Sequence, residues 1–239
     1  MDLRQPKAMI WQAFMSLGLE IHIRRDPLRF LKCMDIRTVL DIGANEGQFA
    51  AQIRALLPDA KIYSFEPLSA PWLILRNSFA QDQSFEAIQL ALGSAPGEAE
   101  FEANTFSPSS SFLALNEKYR RNFPHAATTS KTTVPVSTLD LWARGRFLEK
   151  NILVKMDVQG YEAEVILGGY ETLARSSVVI AETSFVPLYR DQPLYDDIYG
   201  MIRGIGFRSA GMVGNSADGE TGRILQADSI FIREPANAE

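Results

Sequence analysis

The segment VLDIGANEGQF at positions 39–49 constrains this chain more than any other: an apolar run, an aspartate, a tight turn carrying two glycines, then helical spacing. Glycine lacks a β-carbon, so Gly43 and Gly47 mark places where the backbone takes a positive φ or approaches a ligand closely. The pattern predicts a buried strand through Ile42 and a helix over 48–57, whose first amide groups point back at the turn.

The spacing then separates ligands. A dinucleotide fingerprint G-x-G-x-x-G counted from Gly43 needs glycine at positions 45 and 48, where the chain has Asn45 and Gln48. The pyrophosphate reading fails. What remains is D-x-G-x-N-x-G, with the Asp41 carboxylate at the strand end, where it suits a cationic amino group. S-adenosylmethionine carries such an ammonium and a sulfonium besides. A second apolar run, 61–65, ends at Glu66, placed to accept hydrogen bonds from both hydroxyls of a ribose. Taken singly, Asp41 also reads as a turn aspartate and Glu66 as a solvated strand end before Pro67. Together they point to the nucleoside.

At 239 residues and 46% hydrophobic content the chain can bury one sizeable core. A single α/β domain over 37–234 is expected, preceded by an N-terminal helical extension over 1–36. The net charge of −5 and pI near 5.2 argue against a nucleic-acid partner, because phosphate contacts need clustered Lys and Arg. Arg24-Arg25 and Arg120-Arg121 are short pairs that read as solvated faces. One cysteine, Cys33, excludes an internal disulfide and every multi-cysteine zinc pattern, which favours a reducing, cytoplasmic setting. Cys33 itself reads as a small apolar residue on a helix. The run 8–19 is too short to span a bilayer and reads as an amphipathic helix packed on the domain, with contact to a membrane surface as the second option.

Beyond the first turn, strands and helices alternate as in a doubly wound sheet with helices on both faces. A helix is expected over 70–79, a third strand over 87–92, a short strand over 98–103 and a polar insertion over about 104–133. Ser137-Thr138-Leu139-Asp140 reads as a helix start in which Asp140 reaches back to the Ser137 amide. A strand over 152–156 runs into DVQGYE and a helix over 163–173. A strand over 178–181 stops at Glu182, and a closing pair of strands is expected near 206–207 and over 224–232. In open α/β sheets the ligand crevice lies outside the carboxyl ends of the strands. Asp41, Glu66, Asp157 and Glu182 each fall at such an end.

The motifs VLDIGANEGQFA, YSFEP, ALGSAPGEAEF, SPSSSF, VPVSTLDLW, LVKMDVQGYEAEVILGG and AETSFVPLY resemble the FkbM family of S-adenosylmethionine-dependent methyltransferases over roughly 39–233. The resemblance implies an α/β class I methyltransferase fold (Rossmann-like), a doubly wound seven-stranded sheet that is mostly parallel with an antiparallel last strand. It also implies O-methylation, often of a sugar hydroxyl in a glycolipid, polysaccharide or glycosylated metabolite, or of a macrolide hydroxyl. By matching positions, Asp41, Gly43, Asn45, Gly47 and Glu66 would hold the cofactor, with Asp157 at its methionine end or beside the reacting hydroxyl.

Methyl transfer to an alcohol needs a base within hydrogen-bond reach. Asp157 leads, with Glu182 on the expected neighbouring strand and His125 in the polar insertion as the other candidates. His22 reads as a surface or packing residue, and Glu162 as a helix N-terminal charge. Asp157 and Glu182 would also suit a Mg²⁺ that binds the acceptor hydroxyl. Lys155, polar in an otherwise apolar strand, is expected to pair with Glu182 or another acid. Ser110 and Ser111, beside Ser109, offer hydroxyls to an acceptor, and Tyr189 or Phe185 could stack on its ring. Trp142 reads as core. The partner expected is thus a small-molecule or glycan acceptor. The rival reading is a catalytically silent cofactor-binding module acting as a scaffold or partner subunit, and intact acids at every strand end argue for chemistry. The oligomeric state stays open.

Overall fold

A computed structural model describes residues 26–104 and 129–233. The chain divides into two compact units, 1–30 and 31–239. A 3-10 turn, Pro27–Cys33, follows Asp26, whose carboxylate accepts the Leu28 amide at 2.9 Å. Cys33 is exposed at its end, so it does not pack as a small apolar residue. The run 8–19 lies outside the described residues.

The described residues form ten strands and six α-helices. The strands are β1 (Thr38–Ile42), β2 (Lys61–Phe65), β3 (Phe85–Ile88), β4 (Ala91–Leu92), β5 (Gly97–Asn104), β6 (Thr129–Ser137), β7 (Ile152–Met156), β8 (Val178–Ser184), β9 (Arg208–Ala217) and β10 (Ile224–Ile232). The helices are α1 (Gln48–Leu56), α2 (Ser69–Ser78), α3 (Leu139–Ala143), α4 (Glu162–Gly168), α5 (Tyr170–Ala174) and α6 (Tyr195–Gly204).

The mostly apolar strands β1, β2, β7 and β8 are buried on both faces, as a parallel sheet sandwiched between helices requires. Seven strands form the main sheet in the order β3-β2-β1-β7-β8-β10-β9. Only β10 runs antiparallel to its neighbours. Counting this sheet's strands in chain order gives 3-2-1-4-5-7-6, the class I methyltransferase arrangement expected from the motifs. One face, with Leu40, Ile42, Val154, Met156, Val179 and Phe231, packs under Trp142, Val165, Leu173 and Ile202 from α3 to α6. Side chains alternate along a strand, so Asp41 and Lys155, direct register partners across β1 and β7, project to the opposite face.

Four local expectations change in the folded chain. The run 87–92 divides: Glu66 donates its amide to Ile88 O at 3.0 Å as the last rung beside β2, and Ala91–Leu92 leave to pair with β6. A smaller sheet, β4-β6-β5, results, and the end of the expected insertion becomes strand β6. The helix expected over 163–173 breaks into α4 and α5 at Gly168-Gly169. Thr138 caps α3, accepting the Leu141 amide at 3.0 Å, whereas Asp140 accepts the Glu171 and Thr172 amides of α5 at 2.9 and 2.8 Å. A carboxylate placed at a neighbouring helix start satisfies orphan donors there instead of at its own helix.

Candidate active site

The β1-to-α1 turn is built by two ladder bonds and two left-handed glycines. Gly43 and Ala44 both donate to Phe65 O at 3.0 and 2.9 Å, which curls the chain away from β2 as soon as β1 ends. Gly43 takes φ +82°, and a β-carbon there would meet the Asp157 carbonyl oxygen at 1.9 Å, so the ends of β1 and β7 touch backbone to backbone. Asn45 follows at φ +48°, a region that asparagine tolerates better than most residues. Gly47, also at positive φ, seats α1 against Leu75 and Phe79 of the α2 region and does not line the cleft.

Glu66 ties this turn to the end of β2. Its Oε2 accepts the Asn45 amide and its Oε1 the Leu68 amide, both at 2.9 Å, while the residue is only 6% exposed. Burial outweighs these two bonds and pushes its carboxyl up to about 7. Each oxygen keeps a further lone pair for a ligand hydroxyl.

Asp41 is fully buried beneath the turn. Its Oδ2 accepts the Ser64 hydroxyl at 3.0 Å, and its Oδ1 has no hydrogen-bond partner among the described residues. Burial raises its pKa, opposed chiefly by the Lys155 ammonium. Within the chain, the cation acting on Asp41 is thus Lys155, its register partner on β7.

Lys155 Nζ lies 2.9 Å from Asp157 Oδ2 and 5.2 Å from the centroid of the Phe49 ring. Burial disfavours its charge, yet the carboxylates of Asp157 and Asp41 outweigh that and hold the ammonium above its ordinary range. Of the partners expected for Lys155, Glu182 or another acid, it is Asp157 that it meets. Glu182 accepts the Gln159 and Gln226 side-chain amides at 2.8 and 2.6 Å. The Gln159 Nε2 donates to Asp157 Oδ1 as well, also at 2.8 Å, so one amide bridges both carboxylates. Tyr189, 1% exposed, donates its hydroxyl to Gln159 Oε1. An enclosed tyrosine cannot stack on an acceptor, and the reading of Tyr189 as a substrate-binding platform is corrected accordingly. Phe185 pairs with Tyr195 at 5.5 Å.

Two further acids crowd this corner. Asp228 on β10 stands directly opposite Glu182 in the register, a like-charge cross-strand pair that is unfavourable when both are ionised. Burial, then Asp157, pushes Asp228 up to about 6, and burial, Asp157 and Glu162 raise Glu182 well above its ordinary value. Glu162 is 2% exposed, not a solvated helix charge: its Oε1 accepts the Val158 and Gly160 amides at 3.0 and 3.3 Å, and burial pushes it up to about 7.

These raised carboxyls give stability an unusual pH dependence. An unfolded glutamate ionises near 4.5, whereas Glu66 and Glu162 hold their protons to about 7 in the folded chain. Between those values the folded state binds more protons, so stability is greatest below the lower value and falls as pH rises through the window. The ligand-free protein should melt at a higher temperature at pH 5 than at pH 8, and Glu162→Gln, which keeps the acceptor oxygen, should flatten the slope. An equal or higher melting temperature at pH 8 refutes this.

A cleft opens beside the turn, lined by residues from the ends of β1, β2 and β7 and from β4 and β5. Gly43, Asn45 and Glu66 line it together with Asp157 and Gln159, and Leu90, Ala91, Leu92 and Phe101 supply its apolar lining. The Glu66 carboxyl, the apolar lining beside it and the Asp41 oxygen that has no partner among the described residues are compatible in chemistry with S-adenosylmethionine. Glu182 does not line the cleft and stands behind Gln159. A Mg²⁺ does not fit: among the described residues no group of three or more His, Cys, Asp or Glu could hold a metal, and the Lys155 ammonium against Asp157 already supplies the positive charge there. His125, Ser110 and Ser111 lie outside the described residues. Sequence reading missed Gln159 and Asp228. An acid inside the alternating run 224–232 was the available signal for Asp228, since charged residues are seldom buried unless paired.

The model of the family described as "Methyltransferase FkbM domain" matches residues 41–209. The chain is 28% identical over 164 residues to 2-O-methyltransferase NoeI of Sinorhizobium fredii (strain NBRC 101917 / NGR234), covering 66% of this chain and 65% of that protein, just under two-thirds of its length. Solved structures similar to this chain include a precorrin-6y C5,15-methyltransferase from Geobacter metallireducens GS-15, with TM-score 0.45, 10% identity and coverage of 89% of this chain and 91% of that one. Magnesium protoporphyrin IX methyltransferase from Synechocystis PCC 6803 is similar at TM-score 0.45 and 11% identity, over 96% and 79% of the two chains. The family match runs from the acid that ends β1 through the KMDVQGYE turn to the start of β9, so it takes in both halves of the cleft, and the chain belongs to the FkbM methyltransferase family.

Proposed function

We propose that the chain is an S-adenosylmethionine-dependent O-methyltransferase that methylates a hydroxyl of a sugar in a glycolipid, polysaccharide or glycosylated metabolite. The observation that carries this is the cleft, whose lining brings the Gly43–Asn45 turn and Glu66 together with Asp157. The relative named a 2-O-methyltransferase supports transfer to oxygen. The single cysteine accords with a reducing, cytoplasmic compartment, and among the described residues no helix is long and apolar enough to cross a membrane.

When bound, S-adenosylmethionine supplies an electrophilic methyl group on a sulfonium leaving group. Glu66 and the Asn45 turn would hold the ribose, and the apolar lining of Leu90, Ala91 and Phe101 would take the purine. Asp157 would accept the acceptor's hydroxyl proton as its oxygen forms the bond to carbon and the carbon–sulfur bond breaks. Its oxygens, holding Lys155 and Gln159, retain lone pairs for that proton. Holding the reacting atoms in line removes roughly 7–11 kcal/mol of barrier in favourable cases.

The test is calorimetry with S-adenosylmethionine, followed by methyl-transfer assays on glycans bearing free hydroxyls, with and without a chelator. Binding and chelator-insensitive turnover are expected. Binding with no turnover on any acceptor would favour the silent module instead, and loss of turnover on chelation would restore the metal. Glu66→Ala should weaken donor binding by roughly 10- to 100-fold, the worth of hydrogen bonds to a charged group; unchanged affinity removes the ribose assignment.

A further inference from the structure

Gln159 is built into this corner with unusual care for a residue outside the acid pattern. It is not glycine, yet it takes φ +56°, a left-handed conformation that costs about 1–3 kcal/mol when the surroundings impose it. Its side chain is 8% exposed and lines the cleft. Carboxylates only accept hydrogen bonds, so the amide nitrogen must face Asp157 and Glu182, and the amide oxygen must face the hydroxyl that Tyr189 donates. Tyr189 is in turn secured: Leu188 and Tyr189 donate their amides to Gln192 Oε1 at 2.9 and 3.1 Å, and Gln192 Nε2 reaches Ser184 Oγ at 2.8 Å. The chain leaving β8 is thereby tied through Tyr189 and Gln159 to the acid at the end of β7.

We propose that Gln159, held in one orientation by Tyr189, is a positioning residue that bridges Asp157 and Glu182 and aims the Asp157 carboxylate into the cleft. Its importance for turnover rests on the methyl-transfer reading above; the clamp itself does not. Lys155 pulls on one Asp157 oxygen from β7 and Gln159 holds the other, so the carboxylate is fixed at two points. Without the amide, Asp157 could rotate about the Lys155 contact and present its lone pairs to the protein instead of to a hydroxyl. A misplacement of about 1 Å can lower a rate by roughly 10²-fold.

The charged and titratable groups facing this pair are Asp41 from β1, Lys155 from β7, Glu162 from α4 and Asp228 from β10, together with Tyr189. Loss of an N–H donated to a carboxylate disfavours its charged form, and a new carboxylate nearby does so further. Glu182 should therefore titrate about one pH unit higher in Gln159→Glu than in the parent, with a smaller rise in Tyr189→Phe, read by ¹³C-carboxyl NMR and assigned with Glu182→Gln. In turnover assays, kcat should fall roughly 100-fold in Gln159→Glu and roughly tenfold in Tyr189→Phe, with KM for the acceptor within about threefold. Tyr189→Phe keeps the ring in the core, so the test stands even if Gln159→Glu does not fold. Titration of Glu182 at the parental midpoint in the folded variants overturns the clamp. A raised midpoint in the variants, with a parent protein that methylates nothing, supports the clamp and counts against the methyltransferase reading alone.

Discussion

Asp157→Asn should lower turnover by roughly 10²- to 10⁴-fold, the contribution of a positioned general base, while leaving donor affinity within about threefold. The substitution removes the proton acceptor with almost no change in shape. It also disturbs the support, because Asp157 accepts from Lys155 on one oxygen and from Gln159 on the other. An asparagine offers one oxygen and one amide nitrogen, so in either rotamer a donor faces a donor. Breaking an ion pair at a lysine that is 9% exposed is destabilising by several kcal/mol in general, and here Asp41 remains on the same face to share the charge. A loss of about 2–3 kcal/mol, or roughly 5–10 °C in melting temperature, is expected. Calorimetry with the donor, thermal melting and single-turnover rates separate the two effects. A folded Asp157→Asn protein with near-parental rates would take the base role from Asp157 and redirect it to His125.

Gly43→Ala should be the most damaging single methyl group added anywhere in the described cleft. The new β-carbon would stand 1.9 Å from the Asp157 carbonyl oxygen and 2.9 Å from its carbon, both backbone atoms. They cannot step aside cheaply, since the Asp157 amide donates to Ile42 O at 3.0 Å and so welds the ends of β1 and β7 together. The backbone at φ +82° adds strain for any residue with a side chain. Destabilisation above about 4 kcal/mol is expected, a loss large enough to need a named mechanism, which a backbone clash at a left-handed position supplies. Gly47→Ala makes a useful comparison: its β-carbon would meet the mobile end of Leu75 at 2.7 Å, so part of the clash can relax. Denaturant unfolding of both variants should rank Gly43→Ala well below Gly47→Ala, and a Gly43→Ala protein as stable as the parent would show that the two strand ends have room to part.

Much of the architecture could be read along the chain. The runs that became β1, β2, β7 and β8 are mostly apolar and carry Asp41, Glu66, Asp157 and Glu182 at or near their ends, and that pattern is local. The two glycines of the first turn and the helix after it are likewise signalled by neighbours in sequence. The departures arise where a contact distant in sequence decides. Residues 87–92 are apolar apart from Gln89, and the turn at Glu66 and the availability of β6 divide them between two sheets. Asp140 has the spacing of a cap for its own helix, but the start of α5 presents better donors across the core.

By itself the sequence determined the strand-end acids, the left-handed turn and the family, because apolar runs, glycines and their spacing act over a few residues. Which acid meets which partner was decided only by tertiary structure. Asp41 faces Lys155 because parallel register sets them side by side, and Glu182 faces Asp228 because β10 inserts antiparallel beside β8. Gln159 gained its bridging place only when the ends of β7 and β8 came together, since the direction of a side-chain amide follows from the charges around it and not from its neighbours in the chain.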